Sequence, residues 1–174
     1  MGLELLVYAY YEEMMGSDVC DEKLDRLAVF ISTIIECCMY DAAQQRIFAY
    51  DGTLTADVVN SIFRETAAEY EIGGSSDRGL YWVNILHNFE MPFYHLSYSM
   101  AASAALEIWL TAQTQGQDAA IDLYLRLLSL GSFEYGYTEA LDACGMRSFR
   151  SESFMEDLSG TILAEVDALS GNAA

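Results

Sequence analysis

Residues 93–110 read FYHLSYSMAASAALEIWL, eighteen positions with one formally charged side chain, Glu107. Most of these residues favour a helix, and a helix that is apolar on every side belongs inside a fold. The run reaches the lower length limit for a membrane span. Its histidine and serines, and the lack of lysine or arginine between Arg78 and Arg126, argue against that alternative. We therefore predict a buried helix whose first turn contains Pro92.

Helical periodicity continues on both sides of this segment. The helices that we expect before it cover residues 3–15, 21–49 and 56–70. Thr55 is placed to cap the third of these, and residues 73–76 form a loop. The helices that we expect after it cover residues 118–130, 138–144 and 154–169. The first two end at Gly131 and Gly145 and the third ends near Gly171, and we expect each glycine to be a C-terminal cap. Ser153 with Glu156 matches a capping box. The sequence thus predicts an all-α helical bundle in a single domain, residues 1–174.

The charge balance narrows the classes of partner. The chain has 27 acidic and 8 basic residues, a net charge of −19 at pH 7. Such a protein repels phosphate backbones and anionic lipid head groups. We therefore expect no nucleic-acid partner and no membrane partner.

The cysteines indicate a reducing compartment. Cys20, Cys37, Cys38 and Cys144 form no C-x-x-C motif and no Cys/His spacing of a zinc site. Residues 1–6 carry Glu4 where a secretory signal would be cationic. These features predict a cytoplasmic protein with free thiols.

The motifs of common catalytic centres are missing from the sequence. The two histidines, His87 and His95, form no H-E-x-x-H, and neither G-x-S-x-G nor a P-loop occurs. Polar aromatic side chains are instead concentrated over residues 81–98. Tyr94 and Tyr98 are four residues apart, so a helix starting at Pro92 would present both phenols on one face. With His87 they could bind a peptide carbonyl or an oxyanion, or they could be core aromatics whose hydroxyls are satisfied internally.

The same region carries a family resemblance. Residues 82–98 read WVNILHNFEMPFYHLSY. This stretch resembles the C-terminal catalytic-domain signature of oligoendopeptidase F, a branch of the thimet-oligopeptidase-like zinc metallopeptidases. A Trp, a His and a P-F-Y-x-x-S/D-Y element follow in that order in the family. The similarity continues through residues 101–109, 124–131 and 135–145, and it covers about residues 1–169.

The resemblance implies a fold, a cofactor and a substrate. The family is all-helical, and its complete enzymes cleave short peptides with one zinc ion held by H-E-x-x-H and a later glutamate. By resemblance, His87, Tyr94 and Tyr98 bind substrate and stabilise the oxyanion. Because H-E-x-x-H is missing, this sequence corresponds to the C-terminal lobe of the zincin-like catalytic domain, past the metal site. We expect no zinc ligand in this chain and no activity of the chain alone.

Three interpretations stay open at this stage. The first is the substrate-binding portion of an oligoendopeptidase-type metallopeptidase. The second is a free-standing, non-catalytic module that binds peptides or a protein partner, and the third is an acidic structural module related only by ancestry. In the family, the segments matching residues 21–49 and 93–110 pack partly against the metal-bearing helices. We therefore expect a homodimer, or association with the missing N-terminal segment, through these two helices.

Overall fold

The computed structural model describes residues 1–16, 19–72, 78–130 and 134–172, and no strand occurs in these ranges. Short 3-10 segments lie at Val7–Tyr10 and Arg78–Asn84. The α-helices are α1 (Gly2–Leu6), α2 (Tyr11–Met15), α3 (Val19–Phe48), α4 (Ala56–Glu69), α5 (His87–Glu90), α6 (His95–Gln115), α7 (Gln117–Ser129), α8 (Tyr137–Cys144) and α9 (Glu152–Asn172). The predicted all-α class is confirmed.

The chain divides into two compact units. The terminal unit comprises Met1–Ile31 with Met100–Ala174, and the middle unit comprises Ser32–Ser99. The boundaries between the units fall within α3 and α6, so each of these helices contributes residues to both units.

The core of the terminal unit is built around α6. Small and aliphatic side chains from α1, α6, α7, α8 and the residue after Gly145 form one apolar cluster: Leu6, Ala104, Ile108, Ala120, Leu123, Leu141, Cys144 and Met146. Trp109 is fully buried, and its ring meets Tyr8 edge-on at 6.0 Å between centroids. The prediction that residues 93–110 supply a buried helix is therefore confirmed for its second half, residues 102–110, where only Ser103, Glu107 and the neighbouring polar Thr111 interrupt the apolar surface.

The middle unit has its own core between α3 and α4. Met39, Tyr40 and Ala43 from α3 pack with Phe63 and Ala67 from α4. The 3-10 segment then lays the Trp82 ring on Phe63, with centroids 5.1 Å apart and planes almost parallel. The indole N–H donates to Asn60 Oδ1 at 3.0 Å, so the stacked ring also has its polar atom satisfied.

Several of the expected helix ends are confirmed. Thr55 caps α4, because its hydroxyl accepts a hydrogen bond from the Val58 N–H at 3.3 Å. Gly145 ends α8 in the left-handed conformation, with φ of +70°, where a side chain would be strained. The expected helix over residues 3–15 is instead divided into α1 and α2 by the 3-10 segment Val7–Tyr10.

Two end signals at α9 were misread. Ser151 caps this helix, since its hydroxyl accepts from the Phe154 N–H at 3.3 Å, and Ser153 lies inside the first turn. The predicted Ser153–Glu156 capping box is therefore wrong. α9 also runs through Gly171, which does not end it. Gly131 and the loop at 73–76 lie outside the described residues.

One helix meets the length and composition criteria of a membrane span. Among the described residues it is α3, Val19–Phe48, and not the segment 93–110 singled out above. The core helix of a soluble protein and a signal sequence meet the same criteria.

Candidate functional site

The turn before α6 is held by a chain of amide hydrogen bonds within the middle unit. The Phe93 N–H donates to Gln44 Oε1 at 2.6 Å, and Gln44 Nε2 donates to Asn88 Oδ1 at 2.9 Å. Asn88 Nδ2 in turn donates to the Trp82 carbonyl at 2.9 Å. Because Gln44 is buried, these bonds satisfy an amide that would be costly to leave unpaired.

This turn corrects the predicted start of the helix. Phe93 has a φ of +66°, a left-handed conformation that interrupts a right-handed helix. Pro92 therefore lies in the turn, and α6 begins at His95. Tyr94 precedes the helix, so the expectation that Tyr94 and Tyr98 share a helix face is wrong.

The structure nevertheless brings the three predicted site residues together. The rings of His87 and Tyr94 are stacked, with centroids 5.3 Å apart and 10° between planes. The Tyr98 ring meets both edge-on, at 6.0 Å from His87 and 5.3 Å from Tyr94. We call His87, Tyr94 and Tyr98 the aromatic triad. The two phenols therefore lie side by side with Tyr94 in the turn after Phe93 and Tyr98 in the first part of α6.

The aromatic triad lies at the surface rather than in the core. Tyr94 and Tyr98 are 37% and 36% exposed, and His87 is half-buried. Burial of part of the Tyr98 phenol, followed by the neighbouring Tyr94 phenol, raises the pKa of Tyr98. The Tyr98 hydroxyl therefore stays protonated at neutral pH, and because it is hydrogen-bonded to Tyr94, the pair offers one O–H to a carbonyl oxygen.

A buried imidazole lies behind the aromatic triad. His95 is 5% exposed, stacks on Tyr40 at 4.8 Å and meets His87 edge-on at 5.8 Å. Its Nε2 atom has no hydrogen-bond partner among the described residues. Burial and the nearby His87 lower the pKa of His95, against an opposing contribution from Asp41. His95 is therefore neutral at pH 7 and completes a ring contact from Tyr40 to His87.

A cavity of about 300 Å³ opens in the same unit. Its lining residues come from α3, α4 and the segments that follow α4: Glu36, Met39, Tyr40, Ala67, Ile72 and Tyr81. We call this the Tyr40 cavity. Sequence reasoning missed it, because the cavity joins residues up to 45 positions apart. Only the spacing of Glu36, Met39 and Tyr40 on one helical face was available as a signal.

The described residues offer no metal centre. No group of three or more His, Cys, Asp or Glu side chains within them is arranged to hold a metal ion. These residues do not fit the zinc ion that the family resemblance implies.

Comparison with known proteins returns no match to a protein family, to a curated protein or to a solved structure.

Proposed function

We propose that this chain binds short peptides through the aromatic triad. In this proposal it is the substrate-binding portion of an oligoendopeptidase-type zinc metallopeptidase, and the zinc ligands come from a segment other than residues 1–174. The single observation that carries the proposal is the surface contact of His87, Tyr94 and Tyr98. The resemblance assigned a binding role to these three residues on sequence order alone.

The geometry supports a role in holding a peptide backbone. The Tyr98 phenol is hydrogen-bonded to Tyr94, so these two adjacent, partly exposed rings together offer one O–H to a carbonyl oxygen. The half-buried His87 ring restrains Tyr94 by stacking, which lowers the entropy lost when Tyr94 contacts a ligand. The amide chain from Gln44 to Trp82 fixes the turn that carries Tyr94. Together these features favour a rigid surface that recognises a backbone.

The alternative proposal is a free-standing, non-catalytic module that uses the same surface. It predicts the same peptide contacts without any hydrolysis in the natural assembly. Mass spectrometry of the protein purified from its source separates the two, because only the peptidase proposal requires a zinc-bearing segment in the same polypeptide or complex.

NMR titration of the full chain tests peptide binding. The probe is a nonapeptide of Ala, Gly, Leu and Phe with one central Arg, blocked at both ends. We expect shifts of backbone amide signals within residues 87–98. The Tyr94→Phe and Tyr98→Phe double variant should bind about tenfold more weakly, since it lacks both hydroxyls of the phenol pair and with them the O–H offered to the peptide.

Tyr10→Phe is the matched control for this titration. Tyr10 is an exposed tyrosine of the terminal unit, and losing its hydroxyl should leave affinity unchanged. Saturating peptide that leaves the signals of residues 87–98 in place would overturn the proposal, as would a double variant with wild-type affinity.

A further inference from the structure

The Tyr40 cavity combines apolar walls with one acidic residue. Met39 and Ala67 are 5% and 8% exposed and form apolar walls with Ile72. Glu36 is exposed, and none of the six lining residues that the structure describes is basic. A volume of about 300 Å³ is at the lower end of small-ligand sites, which suits one long side chain rather than a cofactor.

Two phenol rings give the cavity its second recognition element. Tyr81 is 56% exposed and has no ring partner among the described residues. Tyr40 is largely buried, and burial, the Glu36 carboxylate and the Tyr81 phenol raise its pKa to about 12. The Tyr40 hydroxyl is therefore uncharged at neutral pH, and the Glu36 carboxylate is close enough to influence it. Exposed ring faces beside a carboxylate attract cations.

The charge of the middle unit also favours a cationic ligand. Residues 32–99 contain nine Asp and Glu and three Arg. One of these arginines, Arg46, is bound to the carboxylate of Glu69, with Nη1 2.9 Å from Oε1. A cationic ligand would thus approach a negative surface, and an anionic ligand would be repelled.

We infer that the Tyr40 cavity binds the guanidinium or ammonium group of a basic side chain in a bound peptide. The aliphatic stem of an arginine or lysine would pack on Met39, Ala67 and Ile72. Its charged head would lie between the Tyr81 ring and the Glu36 carboxylate. This inference rests on the proposed function, because the peptide backbone would be held at the aromatic triad.

Ring contacts join the cavity to the aromatic triad. The Tyr40 ring, which lines the cavity, stacks on His95 at 4.8 Å. His95 contacts His87 at 5.8 Å, and His87 stacks on Tyr94. All of these residues belong to the middle unit. The cavity and the aromatic triad are thus linked by three ring contacts within one unit, and the inference requires one peptide to reach both.

The test compares two peptides that differ only in charge. One is the blocked nonapeptide with a central arginine, and the other has citrulline, the neutral isostere, at that position. Both are titrated into the full chain by fluorescence polarisation in 50 mM NaCl. We expect the arginine peptide to bind about fivefold more tightly, in keeping with an exposed ion pair plus a cation–ring contact.

Two variants test whether the preference for the arginine peptide comes from the Tyr40 cavity. Glu36→Gln and Tyr81→Leu should each reduce the ratio of the two affinities toward one, while the citrulline peptide still binds. Glu65→Gln is the matched control, because Glu65 is also an exposed carboxylate of the middle unit and is not among the residues that line the cavity. It should keep the fivefold ratio. Circular dichroism of each variant confirms that the helices are retained.

The outcomes separate this inference from the proposed function. If both peptides bind with equal affinity, the cavity inference is overturned and the proposed function stands. If neither peptide binds, the proposed function fails and takes the inference with it. A free cation, N-acetyl-arginine methylamide, is titrated in parallel. Binding of this compound with a Glu36→Gln loss, but no peptide binding, would overturn the inference and assign the cavity to free amines or guanidines.

Discussion

His95 is a residue whose ionisation is coupled to folding. Its ring is enclosed by Tyr40 and His87, and burial lowers its pKa below the ordinary value of 6.5. The folded protein therefore binds this proton less tightly than the unfolded chain does. The stabilising contribution of a neutral His95 is complete above pH 6.5, and it is lost as pH falls through the lowered pKa. Asp41 and His87 are the titratable neighbours that affect this pKa.

We expect acid to destabilise the wild type more than the variant His95→Phe. Urea unfolding at intervals between pH 7.5 and pH 5 gives the free energy of unfolding for both proteins. Phenylalanine preserves a ring against Tyr40 but takes up no proton. The free energy of unfolding should thus fall more steeply with acid in the wild type. Parallel curves would show that His95 does not titrate differently in the folded and unfolded states.

The residues of the site were only partly predictable from the sequence. His87, Tyr94 and Tyr98 were singled out by their order along the chain, and the structure does bring them together. The reason given for Tyr94 and Tyr98, a shared helix face, was wrong. The left-handed Phe93 is stabilised by Gln44, a residue 49 positions earlier, and no local pattern carries that hydrogen bond.

At the scale of elements, Glu107 links α6 to α9 through a single arginine. The Arg147 guanidinium binds both carboxylate oxygens of Glu107, at 3.0 and 3.1 Å, and it binds Asp157 of α9 at 2.6 Å. Glu107 is 6% exposed, so its charge depends on this partner. The one charged residue of the apolar segment is thereby accounted for by an ion-pair network.

Removing this arginine should destabilise the fold. We expect Arg147→Met to lower the free energy of unfolding by about 2 kcal/mol, because it leaves the buried Glu107 carboxylate unpaired; solvent around the one-third exposed guanidinium reduces the full cost of a broken buried pair. Urea denaturation measures the change. Arg150→Met, an exposed arginine three residues later, should change stability by less than about 0.5 kcal/mol. Equal effects of the two substitutions would contradict this account.

Helices were easier to predict than their ends. The period of apolar residues predicted both ends of α3, α4 and α8 to within two residues. It could do so because the residues that a helix buries recur at helical spacing along the sequence. The ends depend on single hydrogen bonds, and these compete. Ser151 and Ser153 are both capping residues by type, and the chain path before α9 selects Ser151.

At the scale of the whole molecule, exposed aromatic surface favours the association of two copies of the chain, and the net charge opposes it. Phe48 and Phe93 are 65% and 42% exposed, and their rings contact each other at 5.0 Å. They belong to the two segments that the sequence analysis assigned to an interface. All of residues 102–110 are buried, however, so that part of α6 offers no apolar surface for association. Among the apolar side chains of the two segments that stay exposed, Phe48 and Phe93 contact each other, and Phe89 and Met91 are exposed beside Phe93 in the chain; we expect the interface here.

We expect a second copy of the chain to cover this aromatic surface when its charge is screened. The net charge of −19 opposes association, but its range is only about 8 Å at physiological salt. Sedimentation velocity at about 50 μM protein should therefore show a larger dimer fraction in 500 mM than in 50 mM NaCl. The Phe48→Ser and Phe93→Asn double variant should stay monomeric, and asparagine tolerates the left-handed backbone at position 93. Leu163→Ser removes an equally exposed apolar residue from α9 and should leave the dimer intact. A wild type that is monomeric at both salt concentrations would contradict this prediction. It would mean that the aromatic surface at Phe48 and Phe93 stays exposed to solvent without a second copy of the chain.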